Sequence, residues 1–102
     1  MDRKEFIKNE INQDPLDPFN HYLLAIEYLK EGGTMESFDL FEMITSRFPE
    51  YIATYYTYAN ALLASDEEDK AEKIIRQGIN EAEKKGAAKA LKELKQLLEL
   101  NF

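Results

Sequence analysis

The sequence predicts an all-α fold, about six helices arranged as antiparallel hairpins and stacked into a short solenoid. Residues of like character recur 34 positions apart, among them Pro15 and Pro49, Leu24 and Tyr58, Ala25 and Ala59, Tyr28 and Leu62, and Phe41 and Ile75. A period of that length marks stacked helix pairs, because one pair cannot bury its apolar face alone and must lean on a neighbour. Caps, prolines and glycines divide the chain into six segments with short connections and no low-complexity stretch. The 102 residues, 44% hydrophobic and 12% aromatic, suffice for one small packed domain.

The first segment, about 2–12, opens on a capping box, Asp2-x-x-Glu5, and carries Phe6, Ile7 and Ile11 on one side. Gln13-Asp14-Pro15 ends it, since the residue before a proline is pushed out of the helical region. Asp17 caps the second helix. Pro18 suits its first turn, where the missing N–H would have no partner anyway, and Gly32-Gly33 stops it. Thr34 starts the third, with Phe38, Phe41, Ile44 and Phe48 at spacings of three and four and Pro49 beyond its end. The fourth covers about 52–64. Ser65 or Asp66 is expected to cap the fifth, whose Ala71, Ile74, Ile75, Gly78, Ile79 and Ala82 show the cleanest helical period in the chain. Lys84 and Lys85 sit near its C-terminus and Gly86 ends it. The last segment, about 87–100, places Ala87, Leu91, Leu94 and Leu98 on one stripe and reads as a closing cap.

Charge and chemistry narrow the function. Thirteen Lys and Arg against 20 Asp and Glu give a net charge of −7, which repels phosphate backbones and acidic lipid surfaces, so neither nucleic acid nor membrane is an expected partner. The charged start and the lack of any stretch near the ~20 apolar residues of a membrane span predict a soluble, cytoplasmic protein. There is no cysteine, and the one histidine, His21, builds no metal site alone, so no metal or cofactor is expected. The acidic run Ser65-Asp66-Glu67-Glu68-Asp69 lacks the alternating ligands, central glycine and closing glutamate of an EF-hand and reads as a helix start. No enzyme is expected. His21 stands on the packing stripe, no cysteine nucleophile exists, and Gly32-Gly33 has no phosphate-loop lysine behind it.

The residues at these spacings resemble the tetratricopeptide repeat family. Tyr55-x-x-Tyr58-Ala59-x-x-Leu62 matches the first helix of its motif and Ala71-x-x-x-Ile75-x-x-Gly78 the second. An earlier copy reads His21-x-x-Leu24-Ala25-x-x-Tyr28, then Ser37-x-x-x-Phe41-x-x-Ile44 and Pro49, with His21 where the family prefers Trp and Ile44 where it prefers Ala. The resemblance implies one domain over 1–102, a right-handed solenoid: a half repeat or N-terminal cap at 1–15, repeats at 18–51 and 52–85, and a C-terminal capping helix at 87–102. It also implies a protein-binding adaptor without cofactor.

Each repeat-opening helix carries a second apolar stripe beside its motif residues. In the first copy it is Phe19, Tyr22, Ile26 and Leu29; in the second, Ala53, Tyr56, Asn60 and Leu63. The family's geometry would turn these toward a concave groove, so Phe19, Tyr22, Ile26, Leu29, Tyr56, Asn60 and Leu63 are the expected contacts for a peptide or helix of a partner protein. Asn60 resembles the asparagine of the family's carboxylate clamp. Tyr22 and Tyr56 replace the clamp's lysines, so an acidic C-terminus is not the implied ligand. Two alternatives stand beside this reading: neighbouring helices fill the stripes, or a second copy of the chain occupies them through its C-terminal helix, where Leu97, Leu100 and Phe102 fall partly outside the cap stripe.

Overall fold

The structure, a computed structural model, describes residues 2–102, and among them lie six helices and no strand. They are α1 (Arg3–Gln13), α2 (Pro18–Lys30), α3 (Thr34–Arg47), α4 (Ala53–Ala64), α5 (Glu68–Lys85) and α6 (Ala88–Asn101). Two compact units divide them, one ending at Phe48 and the other covering Pro49–Phe102.

In the first unit the expected caps are in place. The Asp2 carboxylate accepts from the Glu5 backbone N–H at 2.8 Å, and the Asp17 carboxylate accepts from that of Phe19 at 3.0 Å with Pro18 in the first turn. Each satisfies one of the helix-start donors that have no partner within the helix. At the end of α2 the Gly33 N–H donates to the Tyr28 carbonyl at 2.8 Å and the Gly32 N–H to that of Leu29 at 3.2 Å. This is a Schellman closure, and Gly32 supplies its left-handed residue at φ +81°. α2 packs against both α1 and α3 around Ile7, Leu24, Ala25, Phe41 and Ile44. Phe6, expected beside Ile7 and Ile11, is instead 56% exposed. One residue turns a helix by about 100°, and the register that aims Ile7 at α2 carries Phe6 to the outside. Arg3 reaches Glu27 at 2.6 Å and Lys4 reaches Glu31 at 2.9 Å, while the Lys4 ammonium lies 5.0 Å from the centre of the Tyr28 ring. Such exposed contacts orient α1 more than they stabilise it.

In the second unit α4, α5 and α6 pack on one another. Gly78 allows the closest approach. A methyl group there would stand 2.6 Å from Tyr55 Cβ and 3.1 Å from Leu94 Cδ1, so both α4 and α6 depend on that missing side chain. Neither Ser65 nor Asp66 caps α5, contrary to expectation. The Ser65 N–H closes α4, the Glu67 N–H donates to the Leu62 carbonyl at 2.9 Å, and Asp66 sits in the left-handed region at φ +59°. The acidic run is thus a second Schellman closure, and α5 begins at Glu68 with no side-chain cap. In α6 the face turned inward centres on Leu94 and Leu97, with Leu91 and Leu98 half-buried at its edge. Leu97, expected partly outside the cap stripe, is part of the core, whereas Leu100 is 83% exposed.

Candidate partner-binding surface

The motif positions of α2 and α4 serve packing. Leu24 and Ala25 on α2, and Tyr55, Tyr58, Ala59 and Leu62 on α4, are all buried. His21 and Tyr55, 34 residues apart, make the same bond in each unit. His21 Nε2 lies 2.8 Å from the Pro15 carbonyl, and the Tyr55 hydroxyl donates to the Pro49 carbonyl at 2.7 Å. A carbonyl can only accept, so the His21 ring must carry its proton on Nε2. That ring also stacks on Phe48 with centroids 6.0 Å apart. The histidine therefore ties the turn before α2 to the body of its unit, as the buried tyrosine does before α4. Burial, and then the negative charge of Glu81, pushes the Tyr55 phenol up to about 12, against the opposing effect of a Gln77 hydrogen bond.

The second stripes meet different surroundings. On α2, Phe19 is 48% exposed, and Tyr22, Ile26 and Leu29 are half-buried. The Tyr22 ring leans on Phe41 of α3 at 6.3 Å between centroids, so the hairpin partner takes part of that face. On α4, Tyr56 is 42% exposed, Asn60 is exposed and Leu63 is half-buried. The Asn60 Nδ2 donates to the Tyr56 carbonyl one turn back at 3.0 Å, which fixes the amide along its own helix. Each unit thus has an apolar or aromatic strip outside its core, with Tyr22 and Tyr56 at equivalent positions 34 apart. Such strips offer flat apolar rings with polar tips, suited to desolvated contact with a peptide.

Two other exposed apolar side chains, Leu16 at 69% and Met35 at 77% exposure, were not singled out by the repeat pattern, and Phe102 beyond the end of α6 is 45% exposed. Leu16 and Met35 lie off both stripes, and no periodic signal marks them. Among the described residues no cluster of His, Asp or Glu is placed to hold a metal ion, and no helix is long and apolar enough to cross a membrane.

Comparison with known proteins agrees with this architecture. Residues 22–95 match the tetratricopeptide repeat family model. A solution NMR structure of a tetratricopeptide repeat domain protein from Salinibacter ruber is 35% identical, with a TM-score of 0.82 over 86% of this chain and 89% of that one. A crystal structure of a tetratricopeptide repeat domain protein from the same organism is 34% identical, with a TM-score of 0.77 over 83% of this chain and 94% of that one. No curated protein matches the chain.

Proposed function

The chain belongs to the tetratricopeptide repeat family, and we propose that it acts as a non-enzymatic adaptor, capturing a peptide or helix of a partner protein on the second stripes of its repeat-opening helices. The contacts would be Phe19, Tyr22, Ile26 and Leu29 on α2 and Tyr56, Asn60 and Leu63 on α4. Family membership makes protein–protein interaction the general role. The observation that carries the finer reading is the pair of equivalent tyrosines, Tyr22 and Tyr56, standing outside the buried motif stripe, with Tyr56 42% exposed. A ring held on a rigid helix loses little conformational freedom on binding, so it favours capture. The net charge of −7 disfavours a nucleic-acid partner.

The test is selection of binders from a displayed peptide library, followed by titration of a selected peptide against variants. Tyr56→Ala should weaken the peptide at least tenfold while circular dichroism keeps its helical signal, and Leu29→Glu should do the same. Unchanged affinity in both variants would remove the second stripes from the binding surface. Parallel loss of helicity and affinity would return these side chains to a packing role.

A further inference from the structure

Helix α6 is patterned on two sides. Its inward side is held by Leu94 and Leu97. Adjoining that side, Ala88, Leu91, Lys95, Leu98 and Phe102 follow at spacings of three, four, three and four, the seam of a heptad repeat. Ala88, Lys95 and Phe102 are exposed, and Leu91 and Leu98 are half-buried. Beside this seam the surface dips into a shallow depression lined by Ala88, Leu91, Lys92, Lys95, Gln96 and Glu99. Those residues form two successive sets at i, i+3, i+4, i+7, namely 88-91-92-95 and 92-95-96-99. A set of four at that spacing is the hole into which a facing helix inserts a knob in a coiled coil.

We propose that α6 pairs with α6 of a second copy of this chain, antiparallel about a two-fold axis. A single register serves both holes, the one in which facing residue numbers add to 193 or 194. Phe102 of one copy then stands over the 88-91-92-95 hole of the other and Leu98 over the 92-95-96-99 hole, and symmetry repeats each contact. The charges complement one another in the same register. Lys92 and Lys95 precede Glu99 along the depression, so antiparallel pairing sets Lys95 beside the second copy's Glu99, twice. Parallel pairing would set lysine against lysine. A 14-residue helix spans only about 21 Å, short of what a standard interface of roughly 1,200 Å² requires, so the pair forms reversibly and fills at high protein concentration. The seam shares no residue with the proposed peptide surface, and either reading can fail without the other.

Sedimentation equilibrium over a series from about 5 μM to 1 mM tests the pairing. The expected result is a mass rising from one chain toward two. Lys95→Glu and Glu99→Lys should each weaken association at least fivefold with the helical signal unchanged, and mixing the two variants should restore it, because each then meets its opposite charge. Phe102→Ser removes the main knob from an exposed position and should weaken association at least tenfold, whereas Tyr56→Ala should leave it unchanged. A mass of one chain throughout the series overturns the proposal. So does a dimer indifferent to all three α6 substitutions, or one that the mixture of charge variants fails to restore.

Discussion

Side-chain volume is traded between equivalent positions of the two repeats. Position 55 is Tyr and position 78 is Gly in the second copy, where the corresponding 21 and 44 are His and Ile. The larger ring faces the smallest residue, and a Cβ at 78 would stand 2.8 Å from Tyr55 Cγ as well as 2.6 Å from its Cβ. Gly78→Ala gains about 1 kcal/mol of helix propensity but overpacks a contact made near the α4 backbone, an effect of up to ~3 kcal/mol that no rotamer change relieves. The variant should therefore unfold at lower urea than the parent, and a higher midpoint would disprove the close approach. The opposite change is expected at Ser37. Its hydroxyl is buried and, among the described residues, has no hydrogen-bond partner, whereas its equivalent in the second copy is Ala71. Ser37→Ala should stabilise the protein by about 1 kcal/mol in the same assay. The small residue at 78 could be read from the sequence. The hydrogen bonds of His21 and Tyr55 to the prolines six residues earlier could not, because periodicity reports which face is apolar and says nothing of where a polar tip ends.

Tyr55 also makes stability depend on pH. The unfolded phenol releases its proton near 10 and the folded one at about 12. Below the lower value both states are protonated and the group adds no pH dependence. Between the two values only the unfolded chain has lost its proton, so stability falls as pH rises. Tyr55→Phe should lose the hydrogen bond to Pro49 at neutral pH yet show a shallower decline between pH 10 and 12. Equal slopes for the two proteins would contradict burial as the cause.

The helices of the two repeats also differ at their ends. α2 closes through Gly32 at φ +81° and α4 through Asp66, its equivalent 34 residues on, at φ +59°. A β-carbon is strained in that region, although aspartate tolerates it better than most residues. Asp66→Gly should raise stability by about 0.5–1 kcal/mol, and Gly32→Ala should lower it by a similar or larger amount. A destabilised Asp66→Gly variant would mean that the carboxylate itself serves the turn. All six helices, the Asp2 and Asp17 caps and the glycine stops were legible from spacing and composition. The start of α5 was not. Ser and Asp signal a helix cap and a left-handed turn equally well, and only the backbone bonds from Glu67 to Leu62 and from Asp66 to Leu63 decide between them. The inward face of α6 was legible at Leu94 but not at Leu97. Leucines spread over about half the circumference of a helix leave its exact orientation to the packing partner, here α4 and α5, and that packing draws in Leu97.

Across the whole molecule, burial is unevenly distributed between the helices that carry the proposed surface. In α1 the buried residue is Ile7, and in α2 they are Leu24 and Ala25. In α4, Thr54, Tyr55, Tyr58, Ala59, Ala61 and Leu62 are buried, and in α5, Ala71, Ile74, Ile75, Gly78 and Ala82. Local opening is easiest where few apolar contacts are lost, so the amides of α1 and α2 should exchange faster than those of α4 and α5. The same asymmetry bears on binding. The half-buried strip of Tyr22, Ile26 and Leu29 lies on the helix held by fewer buried contacts, whereas Tyr56 stands on one whose motif face is fully enclosed. A peptide seated on the α2 strip should slow exchange in α2, because each opening that releases the peptide then costs its binding free energy as well. Hydrogen exchange with and without a selected peptide would measure this. Slowing confined to α4 would restrict capture to the second repeat, and uniform exchange in the free protein would contradict the difference in burial.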